Sequence, residues 1–386
     1  MKLFEVTDPL TRNNFLKVPK TLYKHDKNWI CPIDNEIEDI FNPHKNPFFN
    51  DGDAKRWVLV NKKGDFIGRI AAFYSLKKAH AHPQPTGGIG FFESINDQEA
   101  AFLLFDTARN WLQEQGMEAM DGPVNFGENQ NYWGLLVKGF TQQAFGMPYN
   151  FPYYQDLFES YGFGNFFEQY SFHRSVVEKF PERFQKIVDR MASRPGYSYD
   201  HLHLDQSEKY INDIVEVYKQ AWAEFKNDYT PLEHQDLRNS LQKLKQIIDE
   251  EIIWFAYYEN QPVAFFILLP DINQILRHMN GKMNLFNKLA FFYYLKRKEI
   301  KRVRALVAGV VPKFQNRGIE SVFFKHLFDV LQHRPYQEIE MSWIGDYNPK
   351  MMAIYKALGA THAKTHITYR YLFDRNKPFV RFKDLD

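Results

Sequence analysis

The residues best placed to do chemistry are Val311-Pro-Lys-Phe-Gln315-Asn316-Arg317-Gly318-Ile319-Glu320. A strand is expected to end at Val311 and a helix to open near Gly318. A loop that feeds a helix N-terminus aims unpaired backbone N–H groups outward, and the helix dipole adds partial positive charge. Such a place holds phosphate without dedicated side chains. Gly318 lets the backbone approach a ligand closely. Other candidates carry less. His80 and His82 have ligand-type side chains, but no third ligand stands at useful spacing, so no metal is expected. Neither G-x-S-x-G nor G-x-x-x-x-G-K-[ST] occurs, which removes the hydrolase elbow and the Walker nucleotide site. The basic run 296–304 lacks the interleaved aromatics of a nucleic-acid surface.

These residues need a scaffold, and the chain offers the same one twice. Residues 56–74 read as strand, turn and strand, with Lys-Lys-Gly-Asp as the turn, and 252–269 repeat that shape around Glu-Asn-Gln. Each hairpin is followed by an insert, a further strand (GGIGFF; VRALVAGVV) and an amphipathic helix. In the first half Asp97 suits an N-cap and Gly116 a C′ position. The pattern predicts a duplicated mixed α/β unit, joined between Ser175 and Gly196 through the polar helix FPERFQKIVDRMASRPG. Of the inserts, 270–301 is the longer and holds MNLFNKLAFFYYLKRK, followed by further basic residues. Helical geometry makes it too short to span a bilayer. It is expected to cap the sheet, or else to lie at a membrane interface with its apolar side down.

Composition narrows the classes. Forty-nine basic against 47 acidic residues leave +2 over 386 residues, so no global field grips nucleic acid or membrane. The single cysteine, Cys31, makes neither an intramolecular disulfide nor a thiolate metal cluster, and is expected to be a small buried hydrophobe in a reducing compartment. The start of the chain lacks an apolar signal region and no run of 18 apolar residues occurs; a cytoplasmic protein is expected. Aromatics reach 17%, enough to line a groove for a long or flat ligand as well as fill a core.

Val310-Val311-Pro312, Gln315 and Gly318 resemble the acyl-CoA signature of the GNAT N-acyltransferase superfamily. Glu320 departs from it, since Gly or Ala is usual there. A second match, Asn348-Pro-Lys-Met-Met-Ala-Ile-Tyr355-Lys-Ala-Leu-Gly359, resembles that superfamily's closing motif and follows a predicted strand. The resemblance implies two tandem GNAT-like domains, 1–175 and 176–386. The first is degenerate, because FFESINDQE stands where a phosphate loop belongs. Features such as NPFF, GRIAAF, GFFES, GLLVKGF and PDINQ look similar to a bacterial two-domain group of the superfamily, one branch of which includes ceramide synthases.

The resemblance further implies transfer of an acyl group from a thioester to an amine in a ternary complex. Acetyl-CoA or a longer acyl-CoA would be the donor, with an acyl-carrier protein left open. The acceptor would be a small-molecule or lipid amine, with peripheral membrane contact if it is a lipid. Donor binding falls to Ala308, Val310, Val311, Gln315, Asn316, Arg317, Gly318, Ile319 and Asn348. Tyr355 takes the position that protonates the leaving sulfur. The base is expected among the carboxylates: Glu340 on a strand, Asp346 at its end, and Glu233 or Asp271 on the acceptor side beside Asn273. Some members use a water chain instead. A non-catalytic binding protein of the same fold is the alternative, with Glu320 as its support.

Overall fold

The computed structural model describes residues 1–81, 84–128, 131–222, 232–315 and 317–385. Thirteen strands form one mixed sheet: β1 (Lys2–Glu5), β2 (Gly52–Val60), β3 (Phe66–Ser75), β4 (Thr86–Ser94), β5 (Ala119–Gly122), β6 (Leu135–Lys138), β7 (Gly164–Ser175), β8 (Tyr197–His201), β9 (Ile253–Tyr258), β10 (Gln261–Pro270), β11 (Arg302–Val310), β12 (Glu338–Gly345) and β13 (Thr361–Leu372). The order is β1-β2-β3-β4-β5-β13-β7-β12-β11-β10-β9-β8, with β6 on β13.

Local chemistry explains the repeated parts. The β2–β3 turn closes on Asn61, whose Oδ1 accepts from the amides of Lys63 (2.8 Å) and Asp65 (2.9 Å). The β9–β10 turn takes Glu259 and Asn260 through positive φ (49° and 64°), as a two-residue hairpin requires. Asp97 caps the helix Gln98–Glu114 by accepting from Ala100 N at 2.8 Å, and Gly116 follows at φ 82°. The joining helix is Glu182–Ala192.

The halves expected at 1–175 and 176–386 each have their own core, but their last strands are exchanged. β13, from the end of the second half, pairs with β5 of the first (Tyr369↔Gly122), while β7 pairs with β12 of the second (Glu340↔His173). β7 and β13 then pair with each other and make the sheet continuous. Only β4–β5 and β11–β12 are parallel, and each pair holds for three residues before its strands part. Just past that point each carries an irregularity against its antiparallel neighbour: Leu306 is the extra residue of β11, and Phe91 in β4 adopts φ 51°. Among the described residues no helix is long and apolar enough to cross a membrane.

Candidate active site

The gap between β11 and β12 opens beyond Arg304↔Glu340. Val311 follows β11, with its amide donating to Val263 O (2.9 Å), and a short turn, Pro312–Phe314, leads to Gln315. Gly318 sits at φ +86° and starts the helix Ile319–Leu331, whose first turn has no side-chain cap. Within that turn Ser321 N donates to Gly318 O at 3.1 Å, so an anion would meet the earlier amides. A β-carbon on Gly318 would lie 3.0 Å from Ile187 Cγ2, so backbone conformation and space both select glycine. Gln315 Nε2 donates to Val310 O at 3.2 Å, tying the loop to its strand. Ala308 and Arg317 are exposed, and Ile319 is buried. Asn316 and His82 lie outside the described residues. Burial raises the pKa of Glu320, shifting it toward the neutral form that repels an anion less.

Tyr355 lies in the helix Pro349–Ala357, 4% exposed, its ring edge-on to Phe172 at 5.4 Å. Burial raises its pKa, which keeps the hydroxyl protonated. Asn348 caps that helix, its Oδ1 accepting from Met351 N at 3.2 Å.

Three of the four carboxylates expected as bases are held in ion pairs. Glu340 is buried and accepts from Lys364 Nζ (2.9 Å) and Ser171 Oγ (3.1 Å). Asp346 is held by Arg381 Nη2 at 2.8 Å. Glu233 is exposed at the start of the helix His234–Leu244. Asp271 is wholly buried and accepts from Arg302 Nε (2.7 Å), Phe145 N (2.8 Å) and Asn273 N (3.2 Å). Its burial raises its pKa and Arg302 opposes the rise. Asn273 is buried, and its Nδ2 donates to Gln143 O at 3.1 Å.

No local pattern announces the roof over this gap. Residues 131–147 of the first half cross to the second. Trp133 lies under the Arg304 guanidinium at 5.1 Å and packs with Trp343 of β12, and Phe145 O accepts from Arg304 Nη1. Burial lowers the Arg304 pKa to about 10. His366 is also buried there with neither ring nitrogen partnered, and burial lowers its pKa to about 3, so it is neutral. The available signal was strand alternation: Arg302 and Arg304 share a face, as do Lys364 and His366.

A cavity of ≈170 Å³ opens beside Arg304, Asp271, Asn131 and the bulged Leu306. Its remaining wall is apolar, including Leu244, Ile248 and Leu269. The same three residues and Leu306 also line a second space of ≈120 Å³ that runs between the helices Ser207–Ala221 and His234–Leu244. The two adjoin through these shared residues, and the charged side chains, Arg304 and Asp271, border only the first. Among the described residues no group of three or more metal-ligating side chains stands together.

Known proteins share this layout. A tandem GNAT protein of the clavulanic acid pathway superposes with a TM-score of 0.55 at 12% identity, covering 98% of this chain and 100% of its own. The fold is that of a tandem GNAT protein. A GCN5-related glucosamine N-acetyltransferase region of a fungal β-N-acetylglucosaminidase gives a TM-score of 0.58 at 10% identity over 96% of the chain, which spans 38% of that larger protein. By sequence, the bacterial ceramide synthase of Caulobacter vibrioides is 27% identical over 379 residues, 96% of this chain and 97% of its own. No family model matches the chain. The tandem GNAT layout expected from the two motifs is therefore present along the whole chain, within a GNAT-type acyltransferase fold.

Proposed function

We propose that the second half, 176–386, transfers a long acyl group from a thioester to the primary amine of a sphingoid-type lipid, and that the first half, 1–175, is a degenerate copy with no donor site. The amphiphile-shaped cavity that meets the parted strands at Leu306 carries this reading. Similarity to a protein named for ceramide synthesis along nearly the full length of both chains supports it.

In this reading the donor, an acyl-CoA or an acyl-carrier protein, lays its pantetheine arm along Ala308–Val311. Its phosphates meet the amides after Gly318. The neutral amine attacks the thioester carbonyl, a C–N bond forms, and the C–S bond breaks as the tetrahedral intermediate collapses. Tyr355 gives its proton to the departing sulfur. The ammonium proton leaves through water, since Glu340 and Asp346 are occupied by cations. Asp271, Asn273 and Asn131 border the acceptor's polar end. The test is an assay with acyl-CoA donors of graded length and a sphingoid base, read by mass spectrometry. An amide product formed fastest from long donors is expected. Turnover of acetyl-CoA alone would overturn the lipid assignment, and no turnover with either CoA or carrier-protein donors would overturn the enzyme.

A further inference from the structure

The helix Leu285–Lys296 presents an apolar face that nothing among the described residues covers. Asn284 caps it, accepting from Asn287 N at 2.9 Å. Only Phe291 is buried on the inner side, where it joins Ile272, Ile275 and Met279. The outer side carries Leu285 (69% exposed), Phe286 (80%), Leu289 (62%), Phe292 (44%) and Tyr293 (55%). Their spacing of three and four residues makes one continuous stripe. Lys282, Lys288, Lys296, Arg297 and Lys298 are all exposed around it. A helix of 12 residues is about 18 Å long, too short to cross a bilayer but suited to lie in its surface.

We propose that this face docks the protein on an anionic bilayer, with Phe286, Leu289 and Phe292 among the acyl chains and the surrounding cations at the lipid phosphates. The basic rim selects an anionic lipid surface over a neutral apolar partner. Position supports the same occupant. Phe145, Ile247 and Ile272, which pack in the cluster beneath the helix, also line the cavity beside Asp271. A docked helix would hold that cavity next to the lipids. The proposal rests on exposure and charge, and stands apart from the chemistry proposed above.

The test is co-sedimentation of the full-length protein with phosphatidylcholine–phosphatidylglycerol vesicles against pure phosphatidylcholine. Binding is expected to the anionic vesicles and to weaken as salt is raised. The double variant Phe286→Asp, Leu289→Asp should bind about 100-fold less or worse, since each buried side chain supplies a large part of the affinity. Lys288→Gln and Lys296→Gln should each weaken it about fivefold. All these residues are exposed, so circular dichroism should be unchanged. Acyl transfer to a detergent-dispersed amine should also persist, which separates this test from that of the enzyme. Absence of binding to anionic vesicles, or equal binding by the double aspartate variant, would overturn the proposal. So would a dimer in solution that Phe286→Asp dissociates, because the face would then belong to a second copy of the chain.

Discussion

β4–β5 and β11–β12 start alike, as three paired parallel residues and an irregularity just beyond, yet different things enter the two gaps. In the first half the chain fills its own gap. Val124 N donates to Ile89 O at 2.8 Å and Gly134 N to Pro123 O at 2.8 Å. A β-carbon at Gly90 would lie 2.0 Å from Val124 O, so Pro123–Val124 occupies the edge that a pantetheine arm would need. In the second half, among the described residues, Ser342 Oγ donates to Leu306 O at 2.9 Å and Gln315 Nε2 to Val310 O at 3.2 Å, and no backbone segment pairs with β11 on that side beyond Arg304. The segment that plugs one half then continues as the roof of the other. One segment closes the first gap and roofs the second.

The polar clusters differ in the same sense. In the first half Glu93 is buried and accepts from Tyr23 (2.7 Å) and Tyr154 (2.9 Å), with Arg69 at 3.4 Å. It lines a smaller space of ≈90 Å³. In the second half the cluster around Asp271 and Arg304 faces the larger amphiphilic cavity.

The largest expected effect breaks the second cluster. Asp271→Ala would leave Arg302 a buried cation without its carboxylate, at a cost of about 3–5 kcal/mol. Asp121→Ala, which frees Arg370 of the exchanged strand β13 but removes a carboxylate that is itself partly exposed, should cost less. Chemical denaturation of both variants measures the difference, and equal losses would dissolve the contrast. A pair of tyrosines sharpens it. Tyr355→Phe should lower kcat about 100-fold with donor affinity and stability intact. Tyr154→Phe should do the reverse, costing about 1–3 kcal/mol of stability through Glu93 with turnover unchanged. Full activity in Tyr355→Phe would leave that side chain a packing residue beside Phe172.

The smallest effect is in pH. Burial raises the pKa of Glu93, so above the ordinary unfolded carboxylate value the folded state binds more protons than the unfolded one. Stability therefore falls as pH rises from that unfolded value through the raised folded one. Glu93→Gln should flatten this slope, and thermal unfolding across the window checks it. An unchanged slope would mean that the carboxylate does not titrate in the fold.

Much of this was legible in local patterns. Hairpin turns at Asn61 and Asn260, the cap at Asp97 and the loop at Gly318 follow from backbone rules that act over a few residues. Strand exchange was hidden, because β7 and β13 have the same alternation whichever sheet they join. The plug at Pro123–Val124 was hidden as well, since a loop's sequence does not say which edge it will meet. The burial of Arg302 and Arg304 was hidden too, because a buried cation is recognised only once its partners, the carbonyls of 142, 143 and 145, are known. For the helix at 285–296 the sequence leaves two alternatives, a cap on the sheet or an interfacial face. Periodicity marked the apolar side, and only packing tells that most of it points outward.

The claim that the gap of the second half alone holds the donor is tested most directly by calorimetric titration with a long-chain acyl-CoA. One site per chain is expected, abolished in Gly318→Asp and retained in Gly318→Asn. The two side chains meet the same left-handed backbone and the same contact with Ile187, so any strain is shared and only the aspartate adds a charge at the phosphates. Two sites per chain, or undiminished binding in Gly318→Asp, would contradict it.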